Sequence, residues 1–210
     1  ENKLKKNLIN SLDFKLTNSQ ITVLNEIQED LESNKQMIRL LQGDVGSGKT
    51  IVALISMLTV VESGYQATLM APTSILAYQH YENISNLITS LSINVEILTG
   101  RDKGRVRLEK LEKIKNGKAQ IIIGTHALIQ ESVSFKQLGL SVIDEQHRFG
   151  VYQRMAFNYK GFRPSILVMS ATPIPRTLTL AAYGDMDESR LIEKPLGRKI
   201  IKTSSLTFKK

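Results

Sequence analysis

Residues Gly43-Asp44-Val45-Gly46-Ser47-Gly48-Lys49-Thr50 match the pattern G-x-x-x-x-G-K-[ST]. Each fixed position meets a need of phosphate chemistry. The glycines let backbone N–H groups converge on a polyphosphate with no Cβ in the way. The lysine reaches the β- and γ-phosphates, and the Thr50 hydroxyl is placed to ligate Mg²⁺. An apolar run at 37–41 precedes the pattern and a helix-forming stretch at 51–55 follows it. The new helix therefore points its positive end at the same anion. The segment predicts a nucleoside triphosphate with Mg²⁺, cradled by Gly43, Gly46, Ser47, Gly48, Lys49 and Thr50.

A second constellation, Asp144-Glu145-Gln146-His147, closes the apolar run 140–143. An aspartate at the end of an apolar strand downstream of a phosphate loop is placed to hold the metal. The adjacent Glu145 can orient or deprotonate the attacking water. An Asp-Glu pair after a strand is also an ordinary helix cap. Its pairing with the phosphate loop, and the Gln146 and His147 that follow, favour chemistry, with His147 linking the γ-phosphate to neighbouring segments. The expected catalytic set is Lys49, Asp144, Glu145 and His147, with Thr50 and Asp144 on the metal.

These groups need a frame that brings them to one place. Short apolar runs alternate with helical periods along the chain, the pattern of a mostly parallel α/β sheet with helices on both faces. Strands are predicted at 37–41, 67–71, 95–98, 120–123, 140–143 and 165–169. Helices are predicted from a Thr17 cap onward and at 50–62, 74–90, 103–115 and 176–183. The runs 120–123 and 165–169 lack polar alternation, as central strands buried on both faces do. Ligands of such sheets sit at the carboxyl ends of the strands. Five polar clusters fall there: the phosphate loop, Ala71-Pro72-Thr73-Ser74, Gly124-Thr125-His126, Asp144–His147 and Ser170-Ala171-Thr172-Pro173.

Composition narrows the alternatives. A chain of 210 residues with 41% hydrophobic content can build a real core. No apolar run approaches the ~20 residues that span a bilayer, and the start of the chain has no signal-like apolar stretch. The chain has no cysteine and three histidines, His80, His126 and His147. Disulfides and thiolate chemistry are therefore excluded, and a structural zinc site is disfavoured. A cytoplasmic location is expected. The net charge of +8 suits a phosphate-backbone partner. Residues 101–118 hold eight Lys/Arg against three acids, with Leu108, Leu111 and Ile114 read as a buried helical stripe beneath a solvated basic face.

Taken in order, these motifs resemble the first motor domain of a superfamily 2 helicase. The runs that carry the likeness are 41–50, 70–73 with 75–77 and 79–81, 124–130, 144–151 and 169–178. Within that superfamily the chain is similar to helicases that remodel branched DNA, over roughly residues 14 to 200. The transcription-repair coupling factors share 147–151 and 171–177 and stand as the alternative. The Asp-Glu-Gln-His box and the segment 183–187 favour the branched-DNA group.

The resemblance implies an ATP-binding, Mg²⁺-dependent RecA-like lobe over 14–195. Residues 1–13 would be a linker helix or segment, and 196–210 a tail leading toward a second lobe. It implies that Phe14 and Gln20 contact the adenine, that Pro72, Thr73, Gly124, Thr125 and His126 touch the DNA backbone, and that Ser170 and Thr172 couple nucleotide state to the DNA track. A solvated Gln20 and plain strand-end turns at the other positions are the bland alternatives. The implied partners are DNA, the second RecA-like lobe with its arginine finger and an N-terminal wedge domain, with no membrane. This chain is expected to be the first lobe alone, inactive or nearly so by itself. A stand-alone phosphate-loop ATPase or kinase, or a silent nucleotide-binding scaffold, are the readings from other classes.

Overall fold

The apolar runs become strands wherever both of their faces find cover. In the computed structural model, residues 3–144, 163–172 and 186–193 are described. They comprise α1 (Lys3–Ser11), α2 (Asn18–Glu32), β1 (Ile38–Gly43), α3 (Lys49–Glu62), β2 (Gln66–Met70), α4 (Ser74–Leu87), β3 (Val95–Leu98), α5 (Gly104–Lys115), β4 (Ile121–Gly124), a 3-10 turn (His126–Ile129), β5 (Leu138–Asp144), β6 (Ser165–Ser170) and β7 (Asp187–Leu191). The strands join in the order β3-β4-β2-β5-β6-β1-β7, and every pairing is parallel. All residues of β2 and β4 are buried, as central parallel strands require.

Alternate residues of each strand feed two apolar layers. Leu41, Leu69, Val142 and Leu167 face the layer under α1 to α4. Leu40, Met70, Ile122 and Val168 face the layer that receives Ile114 of α5 and Leu128 of the 3-10 turn. Ten of the fourteen residues of α3 are buried, so this helix is a core rod rather than an amphipathic cover. It leaves the phosphate loop and runs straight into the interior, which fixes the loop to the best-packed part of the molecule.

The segment 1–13, expected as a linker, supplies α1, whose Leu8 is fully buried in the same layer. Strand β7 was not foreseen. Its sequence, Asp-Glu-Ser-Arg-Leu, has no apolar run, yet it pairs with β1 from Arg39↔Asp187 to Gly43↔Leu191. Side chains hold it there: the Arg39 guanidinium on β1 bonds Asp30 (2.7 Å), Glu26 (3.3 Å) and the Ser189 hydroxyl (2.8 Å), and Ser189 donates to Glu26. The stripe expected on α5 is corrected in part. Ile114 is buried and Leu111 half-buried, but Leu108 is 67% exposed. Only the C-terminal half of α5 lies on the sheet. The helix predicted at 176–183 lies outside the described residues.

Candidate functional site

Because all strands run parallel, their carboxyl ends share one edge, and the polar clusters of the sequence gather there. The phosphate loop leaves β1 through Gly43. A Cβ on Gly43 would stand 2.5 Å from the Ser47 Oγ and 2.9 Å from the Leu191 Cβ, so the loop closes tightly against itself and β7. Gly46 and Gly48 take φ +77° and +91°, the left-handed region that costs glycine little. Gly48 is also the N-cap of α3 and offers no side-chain cap. A helix start without a side-chain cap is where an anion can be received.

Two further features suit a phosphate guest. The Ser47 Oγ is buried and, among the described residues, has no hydrogen-bond partner, a state that costs free energy unless a ligand relieves it. Lys49 folds back so that its Nζ donates to the loop's own carbonyls, Gly43 O (2.6 Å) and Asp44 O (3.1 Å). Carbonyl oxygens are weaker acceptors for an ammonium than the oxygens of a polyphosphate. Thr50 is half-buried on the first turn of α3, where its hydroxyl could help hold a metal.

Gln20 is not a solvated helix residue. It is buried, and its Nε2 donates to Ser47 O (2.9 Å) across 27 residues. Its Oε1 accepts from Thr17 N (2.9 Å), and the Thr17 hydroxyl accepts from Gln20 N (3.2 Å). One side chain thus completes the capping box of α2 and grips the phosphate loop. Phe14, its expected companion on the adenine, stands 46% exposed.

Asp144 ends β5. Strand β6 lies between β5 and β1, and the register places Asp144 level with Met169 and, beyond it, Leu41. Two strand spacings, about 10 Å, therefore separate the carboxylate's strand from the phosphate loop's strand. Ser170 closes β6 in that gap. Its Oγ bonds Thr172 O (3.1 Å), lies 3.2 Å from Thr172 Oγ1 and accepts from Thr172 N (3.2 Å). This small knot stands between the two halves of the expected nucleotide site. Glu145 and His147 lie outside the described residues.

A family model of DEAD/DEAH box helicases matches residues 17–180. The chain belongs to that family.

DEAD/DEAH membership implies nucleotide use. Among relatives, the chain is 54% identical over 193 residues to the ATP-dependent DNA helicase RecG of Streptococcus pneumoniae, covering 92% of this chain and 28% of that protein. To RecG of Bacillus subtilis it is 52% identical over 195 residues, covering 93% and 29%. A solved structure of RecG bound to a three-way DNA junction matches with a TM-score of 0.82 at 48% identity, over 95% of this chain and 27% of that one. The chain thus spans under a third of the length of the relatives it matches. The expected RecA-like fold is borne out.

The remaining predicted positions of the DEAD/DEAH lobe lie on the far side of Asp144. Strands β2 and β4 are neighbours, with Met70 opposite Gly124 and Ala71 N donating to Gly124 O (2.8 Å). This brings Pro72-Thr73 beside Gly124-Thr125-His126. The two threonine hydroxyls each accept from a backbone amide and keep an O–H donor. Thr73 caps α4 by accepting from Leu76 N (3.2 Å), and Thr125 is buried and accepts from Ala127 N (3.5 Å). Because Thr125 is buried, backbone groups and the exposed His126 are what the second cluster offers an outside ligand. Gly124 allows close packing: a Cβ there would come 2.1 Å from Leu98 O.

One contact has no counterpart in the sequence reading. His80 Nε2 lies 2.7 Å from Asp144 Oδ2. The only trace of it in the sequence is its place in the run 79–81 of the helicase resemblance, with no partner indicated.

Proposed function

We propose that this chain is the ATP-binding first motor lobe of a longer RecG-like helicase, which couples ATP hydrolysis to translocation on branched DNA and its remodelling during recombination and repair. Residues 14–195 form the lobe, 196–210 lead toward a second RecA-like lobe, and the protein works in the cytoplasm. The observation that carries the reading is the order of strand ends on one edge. DNA candidates follow β4 and β2, the candidate metal carboxylate ends β5, the Ser170–Thr172 knot closes β6 and the phosphate loop follows β1. RecG bound to a three-way junction, nearly half identical to this chain, supplies the substrate class. In the described residues no helix is long and apolar enough to cross a membrane.

The glycine cradle, the unpartnered Ser47 hydroxyl and the uncapped start of α3 fit a triphosphate, and Thr50 and Asp144 are the residues that would hold its Mg²⁺. When bound, the ion neutralises the charge that develops between the β- and γ-phosphates. Lys49 leaves the Gly43 and Asp44 carbonyls for the phosphate oxygens. Glu145 positions the attacking water. The arginine that stabilises the transition state comes from the second lobe, a contribution of about 10³–10⁵ in rate in related phosphate-loop enzymes.

The test compares ATP turnover by the full-length protein on forked, four-way and linear DNA with turnover by the 210-residue chain. Stimulation greatest on branched DNA, with barely detectable turnover by the lobe alone, is expected. Strong DNA-stimulated turnover by the lobe alone would overturn the two-lobe reading. Equal stimulation by linear DNA would overturn the branched substrate.

A further inference from the structure

We propose that His80 is the positioning residue of Asp144, holding the metal carboxylate to the helix that grows out of the candidate DNA-contact segment. The proposal rests on the reading of Asp144 as the metal carboxylate. It adds a residue and a physical link to which that reading assigns no role.

The geometry is specific. On α4, Ala77, His80, Tyr81 and Ile84 recur at three- and four-residue spacing and form one stripe. Ala77 and Ile84 are fully buried, and Tyr81 packs against the apolar layer. A histidine on such a stripe is costly unless its ring nitrogens are satisfied. Nothing apolar satisfies this one. Its ring reaches out to Asp144, and the pair is nearly closed to solvent, with side-chain exposures of 12% and 16%. An ionised carboxylate can only accept, so Nε2–H donates and Oδ2 receives. Among the described residues Oδ1 has no hydrogen bond, and it remains for the cation. The contact therefore selects which oxygen is offered and fixes the plane in which it is offered.

The contact also joins two places that the sheet keeps apart. Helix α4 packs against β3 and β4, whereas Asp144 belongs to β5, beyond β2 in the sheet order. The helix begins at its cap, Thr73, in the segment expected to touch the DNA backbone. His80 lies two turns further along, about 10 Å of rigid helix. A strand that shifts Pro72-Thr73 therefore moves the donor that aims the metal carboxylate. The bond, part-buried and 2.7 Å long, is short enough that the carboxylate must follow or lose its partner. Hydrogen-bonding partners behind metal ligands typically matter 10- to 100-fold in metal affinity or activity.

The experiment uses the full-length protein, with Mn²⁺ as the probe. Mn²⁺ binding in the presence of ADP is followed by electron paramagnetic resonance, beside metal-free ADP affinity, thermal melting and DNA stimulation of ATP turnover. His80→Ala is expected to weaken Mn²⁺ binding about tenfold or more and to cut the DNA stimulation, with metal-free ADP affinity unchanged. His80→Gln, which keeps an N–H donor near the same place, is expected to recover most of both. Parental Mn²⁺ affinity in His80→Ala would overturn the proposal. So would equal defects in His80→Ala and His80→Gln accompanied by equal losses of melting temperature, because the contact would then be mere fastening. Asp144→Asn separates the two layers of inference. If it binds Mn²⁺ as the parent does, the metal role of Asp144 fails. If only Asp144→Asn is defective, the metal role stands and the role of His80 falls.

Discussion

The phosphate loop and the flank formed by α5 are both rich in cations or donors, and they treat them in opposite ways. Around α5 four of the eight basic residues at 101–118 are engaged internally. Lys110 Nζ sits 2.7 Å from Asp102 and 2.8 Å from Ile97 O, Lys113 lies 2.8 Å from Glu96, Arg105 lies 2.8 Å from Glu109, and Arg107 bonds Gln130 at 2.7 Å. Around the phosphate loop the described partners are weaker ones. Among the described residues the buried Ser47 hydroxyl has no partner, Gly48 offers α3 no side-chain cap, and the Lys49 ammonium bonds two carbonyls of the loop. A count of charges would have chosen the α5 stretch as the anion site. Availability chooses the loop, where only a handful of groups act. A ligand gains most where the protein has left donors poorly matched, since saturated ion pairs must first be broken.

The largest effect that separates the two regions is expected from Lys49→Ala. The variant removes the ammonium that bonds the loop's carbonyls, a charge-assisted contact worth roughly 1.5–3 kcal/mol. Mg-ATP affinity should fall roughly 10- to 100-fold in calorimetric titration. The same truncation at Lys113 should leave that affinity untouched. If both lysines mattered equally, the contrast between the two regions would be lost.

A smaller effect is expected from the scaffold of the loop. Gly48 sits at φ +91°, and an added Cβ would come 2.2 Å from the Gln20 Nε2. Gly48→Ala thus combines a left-handed alanine, about 1–2 kcal/mol, with displacement of the amide that grips Ser47 O. The melting temperature should fall by roughly 3–8 °C. Mg-ATP affinity should fall with it, because the same displacement loosens the first turn of α3. Unchanged affinity at reduced stability would show that Gln20 holds only the fold and not the cradle.

How far each region could be read from residues alone follows from the range of its interactions. The strands at 37–41, 120–123 and 165–169 were legible because central parallel strands need continuous apolar runs. The phosphate loop was legible because its glycines and lysine are demanded by local geometry. Strand β7 was not. Four of its five residues are polar, and it is recruited by the open edge of β1 and by the Arg39 clamp with Glu26, Asp30 and Ser189. Leu108 misled because its spacing matched a buried stripe while the helix leans away from the sheet at that end. Gln20 and Thr125 carried polar side chains that the fold turned inward, to Ser47 and to Ala127. The bond from His80 to Asp144 spans 64 residues, and no spacing rule reaches that far.

The smallest effect belongs to the α5 flank and sharpens the contrast through pH. Burial pushes the Asp102 carboxyl up, but hydrogen bonds from Lys110 and Thr99 outweigh it and hold its pKa below the usual aspartate value. A carboxyl lowered in the folded state adds stability above its unfolded pKa, about 3.9. That stability disappears as pH falls through the lower folded value. Asp102→Asn keeps an acceptor for Thr99 but loses the charge that anchors Lys110, at a cost of about 1 kcal/mol. At pH 7 its melting temperature should lie roughly 2–4 °C below the parent's. The gap should begin to narrow as the pH drops below about 4, where the unfolded parent's carboxyl takes up a proton, and should close below the lower folded value. Mg-ATP affinity at pH 7 should equal the parent's, since Asp102 lies near β3, at the end of the sheet away from β1. A gap that persisted unchanged into acid would mean that packing rather than charge holds α5. A loss of nucleotide affinity would mean that the two ends of the sheet are energetically joined, and that the charges around α5 also act on the nucleotide.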